Sequence, residues 1–424
     1  MHFTDFLRFQ NRMCGICGWV LPQGQKRDTA QLSSMADAIA HRGPDDRGYF
    51  VDERRGVALA HNRLSIIDLS SAGHQPMISD DCKTVLIYNG ELYNFRELRK
   101  ELEGLGHVFR SRTDTEVVLR SYIQWGKSCL DRFCGMFAFA LYDSRFTDSR
   151  LFLARDPMGM KPLYYTTLPG VKGFVFASEI KAFLALPDFK AKMNRFSLNQ
   201  FLEFGYTFDE HATSLEGVYK LPPGHMLEVR NGSAGVPKPY FAPPVPAANN
   251  LCDLREREEE LYATLSEVVA QHLVADVPVG LLLSGGIDSS VTAALAARDA
   301  KITTISMGFA ESDVDERSYA RIVSDFIGSN HIEVTIHPEE VREDLEDVVW
   351  YFDDLFADWG TVSTRLLYKK CREKGIKVVL VGEGSDEIFG GYPVFEASMD
   401  GRGPKVWRLF QLYRRYAGRR WQSI

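Results

Sequence analysis

A stretch rich in proline, glycine and small residues, residues 231–250, divides this sequence into two parts with different hydrophobic patterns. Little in the stretch could repeat on one face of a helix or strand, so the composition predicts a linker. At 424 residues the chain is long enough for two hydrophobic cores. The break therefore predicts a domain at residues 14–230 and a second domain at residues 251–424.

Before the linker, short apolar or alternating runs predominate, a pattern typical of strands. Amphipathic stretches between them predict helices at 30–40, 95–105 and 114–125. We therefore predict an α+β domain of stacked antiparallel sheets with flanking helices. The predicted strands lie in the runs ICGWVL, VALAHNRLSII, TVLIYNGELYN, GMFAFALYD, RLFLAR and GFVFASEI.

After the linker, strand and helix patterns alternate, which predicts a parallel, doubly wound α/β domain. A helix over 254–273 precedes the strand VGLLL, and a helix over 289–298 follows it. The predicted order continues with KITTISMGF, a helix around 319–327, HIEVTI, a helix within 345–373 and KVVLV.

Charge and cysteine content limit the possible partners. The net charge of -7 gives no basic face for nucleic acid or an anionic membrane, so small-molecule substrates are expected. No run approaches the roughly 20 apolar residues of a membrane span, and the first twelve residues do not resemble a secretory signal. Seven cysteines, an odd number, favour free thiols in a reducing compartment. We expect a cytoplasmic protein without nucleic-acid or membrane partners.

A glycine turn between VGLLL and the next helix has the composition of a phosphate-binding loop. Glycines let backbone amides point at an anion, and the helix N-terminus adds a favourable dipole. No lysine follows the glycines, which disfavours the common γ-phosphate-transferring loop. Asp288 offers a carboxylate for Mg²⁺. The alternative is an ordinary serine-capped helix after a Gly-Gly turn. The loop residues are Ser284, Gly285, Gly286, Asp288, Ser289 and Ser290.

The strand KVVLV is followed by a second polar segment, GEGSDEIFGGY, at 382–392. Carboxylates at the carboxyl end of a parallel strand face the ligand crevice of such a sheet. Gly382 and Gly384 alone are a weak signal, because the third glycine of a dinucleotide fingerprint is missing. Together with SGGIDSS the segment becomes a strong indication of a nucleotide site.

The segment Met13-Cys14-Gly15-Ile16-Cys17 has two interpretations. A CxxC pair could bind zinc or cycle as a disulfide, but no second pair of ligands is spaced for zinc, and a strand rather than a helix follows. Removal of the residues through Met13 would instead leave Cys14 with its own α-amine. An amine pKa of ~7.7–8 lies close to the ~8.5 of a thiol, so the amine can act as base. Residues 1–13 would then be a mis-assigned start or a cleaved segment. We expect Cys17, Cys82, Cys129 and Cys134 to be buried and to pack as small hydrophobic residues.

These motifs together resemble the glutamine-hydrolysing asparagine synthetase family over nearly the whole chain. The first domain resembles the class II glutamine amidotransferases, which are N-terminal-nucleophile glutaminases, and the second resembles the ATP pyrophosphatases. The resemblance is carried by MCGICGW, HRGPDD, RLSIID, YNGELYN, RTDTE and RDPMGMKPLY in the first domain, and by SGGIDSS and GEGSDE…FGGY in the second.

In the first domain, the resemblance implies that Cys14 attacks glutamine and forms a thioester. Arg63 would bind the α-carboxylate of glutamine, as suits a guanidinium fork. Glu91 and Asp114 would bind its α-ammonium. The side-chain amide of Asn89 and the backbone amide of Gly90 would form the oxyanion hole.

In the second domain, the resemblance implies an ATP site and transfer of ammonia to an adenylated carboxylate, with release of AMP and pyrophosphate. Glu383 would be the general base for ammonia. Asp288 and Asp386 would hold Mg²⁺. Besides the loop residues above, the implied ATP contacts are Leu283, Met307, Val381 and Gly382.

Two departures from the family pattern leave questions open. Many asparagine synthetases carry R-A-S-T-P where this chain has ADWGTVST at 357–364, so the acceptor could be aspartate, a sugar acid or another carboxylate. Family members continue beyond FGGY with an R-x-P-F-L-D motif and a phosphate-binding lysine. Without an equivalent here, the second domain is expected to be truncated or completed by another chain, or the protein to form a homodimer.

Three other functions stay open at this point. A glutaminase with a vestigial ATP domain would keep the first domain's chemistry alone. A non-catalytic subunit would retain the residues before Cys14. A nucleic-acid-modifying pyrophosphatase would share the phosphate loop, but the acidic charge and the amidotransferase motifs argue against it.

Overall fold

The computed structural model describes residues 13–148, 150–167, 173–244, 253–310, 315–356 and 360–391. Several predicted features lie outside these residues: the extension before Met13, the end of the linker at 245–250, the acceptor-motif residues 357–359, and everything from Tyr392 to the C-terminus.

The first domain contains two antiparallel sheets, of six and seven strands, as the sequence predicts. Their orders are β10-β8-β9-β1-β3-β2 and β12-β11-β7-β6-β5-β4, with β13 also pairing with β11. The strands are β1 (Gly15–Val20), β2 (Asp46–Asp52), β3 (Val57–Arg63), β4 (Met77–Ile78), β5 (Thr84–Leu92), β6 (Gly135–Asp143), β7 (Arg150–Arg155), β8 (Tyr164–Thr167), β9 (Phe174–Ala177), β10 (Val218–Lys220), β11 (His225–Arg230), β12 (Ser233–Ala234) and β13 (Lys238–Pro239).

The two sheets pack face to face because alternate residues of each strand are apolar. In β1, Ile16 and Val20 belong to a buried cluster with residues of both sheets. Cys17 and Trp19 point to the other face and pack with helix residues such as Met35. This alternation is the two-residue period of a strand. The helices of this domain are α1 (Ala30–Ala38), α2 (Phe95–Gly104), α3 (Asp114–Trp125), α4 (Lys181–Leu184) and α5 (Arg195–Phe204).

The second domain contains a parallel sheet of order β16-β15-β14-β17, which confirms the predicted α/β class. Its strands are β14 (Val279–Leu282), β15 (Thr303–Phe309), β16 (Asn330–Ile336) and β17 (Val378–Leu380). The helices are α6 (Leu254–His272), α7 (Ile287–Asp299), α8 (Arg317–Ile327), α9 (Pro338–Glu343), α10 (Leu345–Phe352), α11 (Gly360–Glu373) and α12 (Ser385–Phe389).

Several predicted boundaries need correction. The predicted linker begins too early, because β12 and β13 add residues 233–239 to the first domain's sheet. Helix α7 begins at Ile287, two residues before the prediction, because Gly286 provides the extended N-cap. The single helix predicted within 345–373 is two helices, since Asp353 ends α10 in a left-handed conformation with φ 65°.

Pairing of β14 with β15 and β17 brings the carboxyl ends of β14 and β17 to the same level, while β15 continues for four residues beyond Ile305. Leu282 lies opposite Ile305, and Leu281 lies opposite Leu380. The phosphate loop and the segment beginning at Val381 therefore leave the sheet at the same carboxyl edge. No described helix combines the length and apolar character needed to cross a bilayer.

Candidate active sites

Cys14 immediately precedes β1, and two hydrogen bonds hold it, one to its thiol and one to its carbonyl oxygen. The N–H of Leu64 donates to its Sγ at 3.3 Å, and Arg42 Nε donates to its carbonyl oxygen at 3.1 Å. Burial raises the pKa of the Cys14 thiol to about 11, against the opposing effect of the Leu64 hydrogen bond. With Met13 attached, the thiol is therefore neutral near pH 7 and needs a base.

Lys161 is a site residue to which the sequence reasoning gave no role, although it lies in the RDPMGMKPLY motif. Its Nζ donates to Sδ of the buried Met13 at 3.1 Å. Burial lowers the pKa of Lys161 to about 8, while the charge of Glu91 acts in the opposite direction. Lys161 thus places a cationic group beside the residue that precedes the predicted nucleophile.

Asp114, which is buried, and Glu91, which is partly buried, form an acidic pair beside Cys14. Burial raises the pKa of Glu91 well above its usual value, and the charge of Asp114 raises it further. Burial also raises the pKa of Asp114 to about 6, although the Leu92 N–H donates to its Oδ2 at 2.9 Å. Two adjacent carboxyl groups are costly to ionise together, so a cation between them is favoured. This is the environment expected for the α-ammonium of glutamine.

Helix capping places Asp114 in this pair. The Oγ1 of Thr113 accepts the Glu116 N–H at 3.2 Å, which fixes Asp114 as the first residue of α3. Such a cap typically stabilises a helix by ~1 kcal/mol.

Asn89 and Gly90 lie at the end of β5, on the wall of the same site. Asn89 is buried, and its Nδ2 has no hydrogen-bond partner among the described residues. A buried amide donor without a partner is costly, so a ligand oxygen would be favoured there. Gly90 must lack a side chain, because a Cβ would lie 2.5 Å from the Met136 carbonyl oxygen. These features fit an oxyanion hole.

Arg63 ends β3, and its guanidinium is held by its own downstream segment. It donates to the carbonyl oxygens of Asp68 at 2.5 Å, Ser70 at 3.0 Å and Ile67 at 3.3 Å. These bonds use three of the five guanidinium N–H groups. The side chain lines the site with a fixed orientation, as the proposed binding of a carboxylate requires.

The other motif residues of the first domain support this site. Arg42 of HRGPDD donates to Glu179 at 2.6 Å as well as to the Cys14 carbonyl oxygen, so it supports the wall of the site. His61 is buried, and its Nε2 lies 3.1 Å from the Tyr88 carbonyl oxygen, so it has a structural role. Cys17 and Cys129 are buried, but the prediction was wrong for Cys82 and Cys134, which are exposed loop residues.

A cavity of about 760 Å³ extends from this site into the second domain. Cys14, Arg63 and Glu91 line it on one side, and Tyr368 and Glu383 line it on the other. Between them the wall includes apolar side chains of both domains. These include Leu64, Ile66, Val268, Ile376, Val379 and Leu380.

The phosphate loop has the open backbone expected from its glycines. Gly285 has φ 86°, and a Cβ there would lie 2.6 Å from the Tyr319 backbone, so the turn requires glycine. The hydroxyls of Ser284 and Ser289 lie 3.0 Å apart, and Ser284 Oγ accepts the Gly286 N–H at 3.2 Å. The Oγ of Ser290 is buried without a partner among the described residues. The loop therefore presents hydroxyl and amide donors to an anion.

The remaining predicted residues of the second domain lie at the same carboxyl edge of the sheet. Leu283 is buried and donates to the Ile305 carbonyl oxygen at 2.8 Å. Met307 lies in β15 beyond the level of Leu282. Val381 and Gly382 follow β17, and a Cβ at Gly382 would lie 3.3 Å from the Ser289 nitrogen. The structure thus brings the two sequence motifs of this domain together.

Asp288 and Asp386 lie in the first turns of α7 and α12. A Cβ at Gly382 would lie 3.5 Å from the Asp288 Cβ, so the two loops are adjacent. The described residues contain no group of three or more His, Cys, Asp or Glu side chains arranged for a metal ion. Binding of Mg²⁺ by these two carboxylates therefore stays a prediction, in which nucleotide phosphates and water would supply the other ligands.

The two antiparallel sheets and the Cys14 site are those of a glutamine amidotransferase domain, and the sequence comparisons identify the same class. Residues 13–241 match the family model of the glutamine amidotransferase domain, and residues 260–424 match that of asparagine synthase. The chain belongs to the glutamine-hydrolysing asparagine synthetase family, as the motifs indicated.

Curated relatives show the same two parts. Glutamine-hydrolysing asparagine synthetases 1 and 3 of Bacillus subtilis (strain 168) are 36% and 35% identical to this chain over 90% and 91% of its length. Amidase chry2 of Gibberella zeae is 34% identical over 91% of the chain. The chain spans 59%, 64% and 60% of the lengths of these three relatives, respectively.

Proposed function

We propose that this chain hydrolyses glutamine at Cys14 and uses the ammonia, with ATP, to amidate a carboxylate at the second domain. The observation that supports this most directly is the single cavity lined by both Cys14 and Glu383. Two sites that share a cavity can exchange a small product without releasing it to solvent.

Glutamine hydrolysis begins when the thiol of Cys14 attacks the side-chain carbonyl. The α-amine of Cys14, which becomes free when Met13 is removed, accepts the proton of the thiol. Arg63 holds the substrate carboxylate, and the pair Glu91 and Asp114 holds its ammonium group. Asn89 and the Gly90 amide stabilise the oxyanion as the tetrahedral intermediate forms. When the intermediate collapses, the C–N bond breaks, the α-ammonium returns its proton to the leaving nitrogen, and ammonia departs. Water then hydrolyses the γ-glutamyl thioester to glutamate and restores the thiol.

Ammonia then crosses the cavity toward Glu383. The apolar wall residues between the sites, such as Val268 and Val379, favour neutral ammonia over ammonium, because burial disfavours a charge. Glu383 receives the proton as ammonia attacks the activated carboxylate. Burial raises the pKa of Tyr368, and the nearby negative charge of Glu383 raises it further. Tyr368 is therefore close enough to Glu383 to interact with its charge.

ATP is proposed to bind at the carboxyl edge of the parallel sheet. Its phosphates face the loop at 284–290, and Met307, Val381 and Gly382 contact the rest of the nucleotide. Asp288 and Asp386 would hold Mg²⁺, which neutralises phosphate charge when bound. No lysine follows the loop glycines, in agreement with adenylation rather than γ-phosphate transfer.

Aspartate is the first candidate acceptor, because two of the relatives above are named asparagine synthetases. Another carboxylate, such as a sugar acid, is the alternative, since residues 357–364 depart from the family motif. A homodimer or a complementing chain, the removal of residues 1–13 and a cytoplasmic location also remain predictions.

The proposal is tested by measuring glutamate and pyrophosphate together. The protein with residues 1–13 removed, so that it begins at Cys14, is incubated with glutamine, ATP and Mg²⁺, with aspartate, with a panel of other carboxylates or with none. We expect glutamate in every reaction and acceptor-dependent pyrophosphate with one carboxylate. Glutamate without pyrophosphate under any condition would favour a glutaminase with a vestigial ATP domain. Absence of both products would contradict the proposal.

A further inference from the structure

Two residues of the second domain hold the segment 64–70 of the first domain. Lys377 Nζ donates to the Ser65 carbonyl oxygen at 2.8 Å and to Asp45 Oδ2 at 2.5 Å. That same Asp45 oxygen accepts the Ser65 N–H at 2.8 Å. Asp276 uses both its backbone and its side chain: its N–H donates to the Ile66 carbonyl oxygen at 2.9 Å, and its Oδ2 accepts the Asp68 N–H at 2.8 Å.

This segment supplies the groups that orient the glutamine site. Its first residue, Leu64, donates its N–H to the Cys14 thiol. Its later carbonyl groups fix the guanidinium of Arg63. Asp68 has φ 54°, a strained conformation for a residue other than glycine, and such backbone is retained only where neighbours support it. A shift of the segment would therefore move both the nucleophile's partner and the carboxylate-binding side chain.

Lys377 and Asp276 lie just before two neighbouring strands of the parallel sheet. Lys377 immediately precedes β17, and Asp276 lies just before β14. These strands pair from Val279 and Val378 onward. Their carboxyl ends lead to the phosphate loop and to Glu383, while the residues before their amino ends hold segment 64–70.

We propose that Lys377 and Asp276 are positioning residues for glutamine hydrolysis, acting through segment 64–70 without touching the substrate. The inference rests on the proposed function, because it assumes that Arg63 binds glutamine. The glutaminase site is then complete only when the second domain is docked against the first.

The test compares steady-state glutamine hydrolysis in the two-domain protein that begins at Cys14 and in its Lys377→Met variant. We expect KM for glutamine to rise about tenfold, as for loss of one charged hydrogen bond, with kcat within about threefold of the wild type. Ammonia-dependent pyrophosphate release should be unchanged, because the ATP site lies at the other edge of the sheet. Lys377→Arg, which keeps the charge and donors, should restore KM to within about threefold.

Lys220→Met is the matched control. Lys220 forms an ion pair with Asp354 at 3.1 Å, also between the domains and more buried, but away from segment 64–70. This variant should leave KM for glutamine near the wild-type value. Asp276→Ala removes the carboxylate that accepts the Asp68 N–H but keeps the backbone N–H bond to Ile66. It should also raise KM, which keeps the test decisive if one variant fails to fold.

An unchanged KM in both Lys377→Met and Asp276→Ala would overturn the inference, as would an equal rise in Lys220→Met. Parallel loss of ammonia-dependent turnover would also overturn it, by showing a general structural role. A wild-type protein that hydrolyses no glutamine would instead refute the proposed function itself.

Discussion

Cys14 and Glu383 line one cavity although they belong to different domains. Cys14 lies just before β1 of the first domain, and Glu383 lies just after β17 of the second. Each can therefore be changed without altering the fold of the other's domain. The two half-reactions should respond separately to substitution, which the following predictions use.

The first prediction concerns the amine of Cys14. Because burial holds the thiol pKa at about 11 while Met13 is attached, the chain should hydrolyse glutamine only after Met13 is removed. Intact mass of the protein from its native host, combined with glutamate production, measures this. Full glutaminase activity in molecules that still carry Met13 would refute the α-amine as base.

Replacement of Cys14 should separate the two domains' activities. Cys14→Ala is expected to abolish glutamine hydrolysis and to leave ammonia-dependent pyrophosphate release unchanged, since the ATP site lies in the other sheet. Cys134→Ala is the control, because Cys134 is an exposed free cysteine. Loss of both activities in Cys14→Ala would show that the domains do not act independently.

Asp288 is expected to act before the adenylate forms. Asp288→Asn removes a charge beside the phosphate loop, so pyrophosphate release should be lost and its Mg²⁺ dependence weakened. Isotope exchange between pyrophosphate and ATP, measured with the acceptor present, reports this step. Normal exchange in Asp288→Asn would remove Asp288 from the site.

Glu383 is expected to act later, when ammonia attacks. Glu383→Gln should keep ATP binding and pyrophosphate exchange but reduce amide formation by roughly 10²–10⁴-fold, the usual effect of losing a general base. Glu387→Gln, four residues further along the chain in α12, is the control. Unchanged amide formation in Glu383→Gln, or equal loss of exchange and amide, would refute this assignment.

Asp114 should give the glutaminase a dependence on acid pH. Its pKa of about 6 means that it becomes protonated as pH falls through 6, so KM for glutamine should rise there. Because this pKa is raised, the stability it contributes is present at low pH and lost as pH rises through 6. Asp114→Asn should therefore raise KM at pH 7.5 and also raise the Tm of the ligand-free protein. A KM that stays constant from pH 5 to 7.5 in the wild type would contradict this assignment.

The sequence was most informative where a function occupies one short, continuous segment. The chemistry of SGGIDSS and of the cysteine at 14 requires neighbouring residues, so the motifs and the strand-to-helix turn could be predicted together. The apolar run ICGWVL likewise indicated a strand, and the structure confirms it as β1. That β1 packs into a core on each of its faces was not predicted.

Contacts between distant segments could not be predicted in the same way. Lys377 is an unremarkable lysine before a strand until folding places it against Ser65. Helix ends were also misjudged where the local backbone conformation decides them. Helix α10 ends at Phe352 because Asp353 has a positive φ, and an aspartate in the sequence does not by itself predict that conformation.

The position of β17 late in the chain delays the contact between Lys377 and segment 64–70 during translation. β17 is the last strand of the described sheet along the chain, yet it pairs with β14, about a hundred residues earlier. A nascent chain can fold its amino-terminal domain first, but Lys377 emerges roughly 15–60 s after segment 64–70 at typical elongation rates of 5–20 residues per second. During that interval the glutamine-binding segment lacks its second-domain support, so the newly made domain would be a poor glutaminase until translation has nearly passed the ATP site.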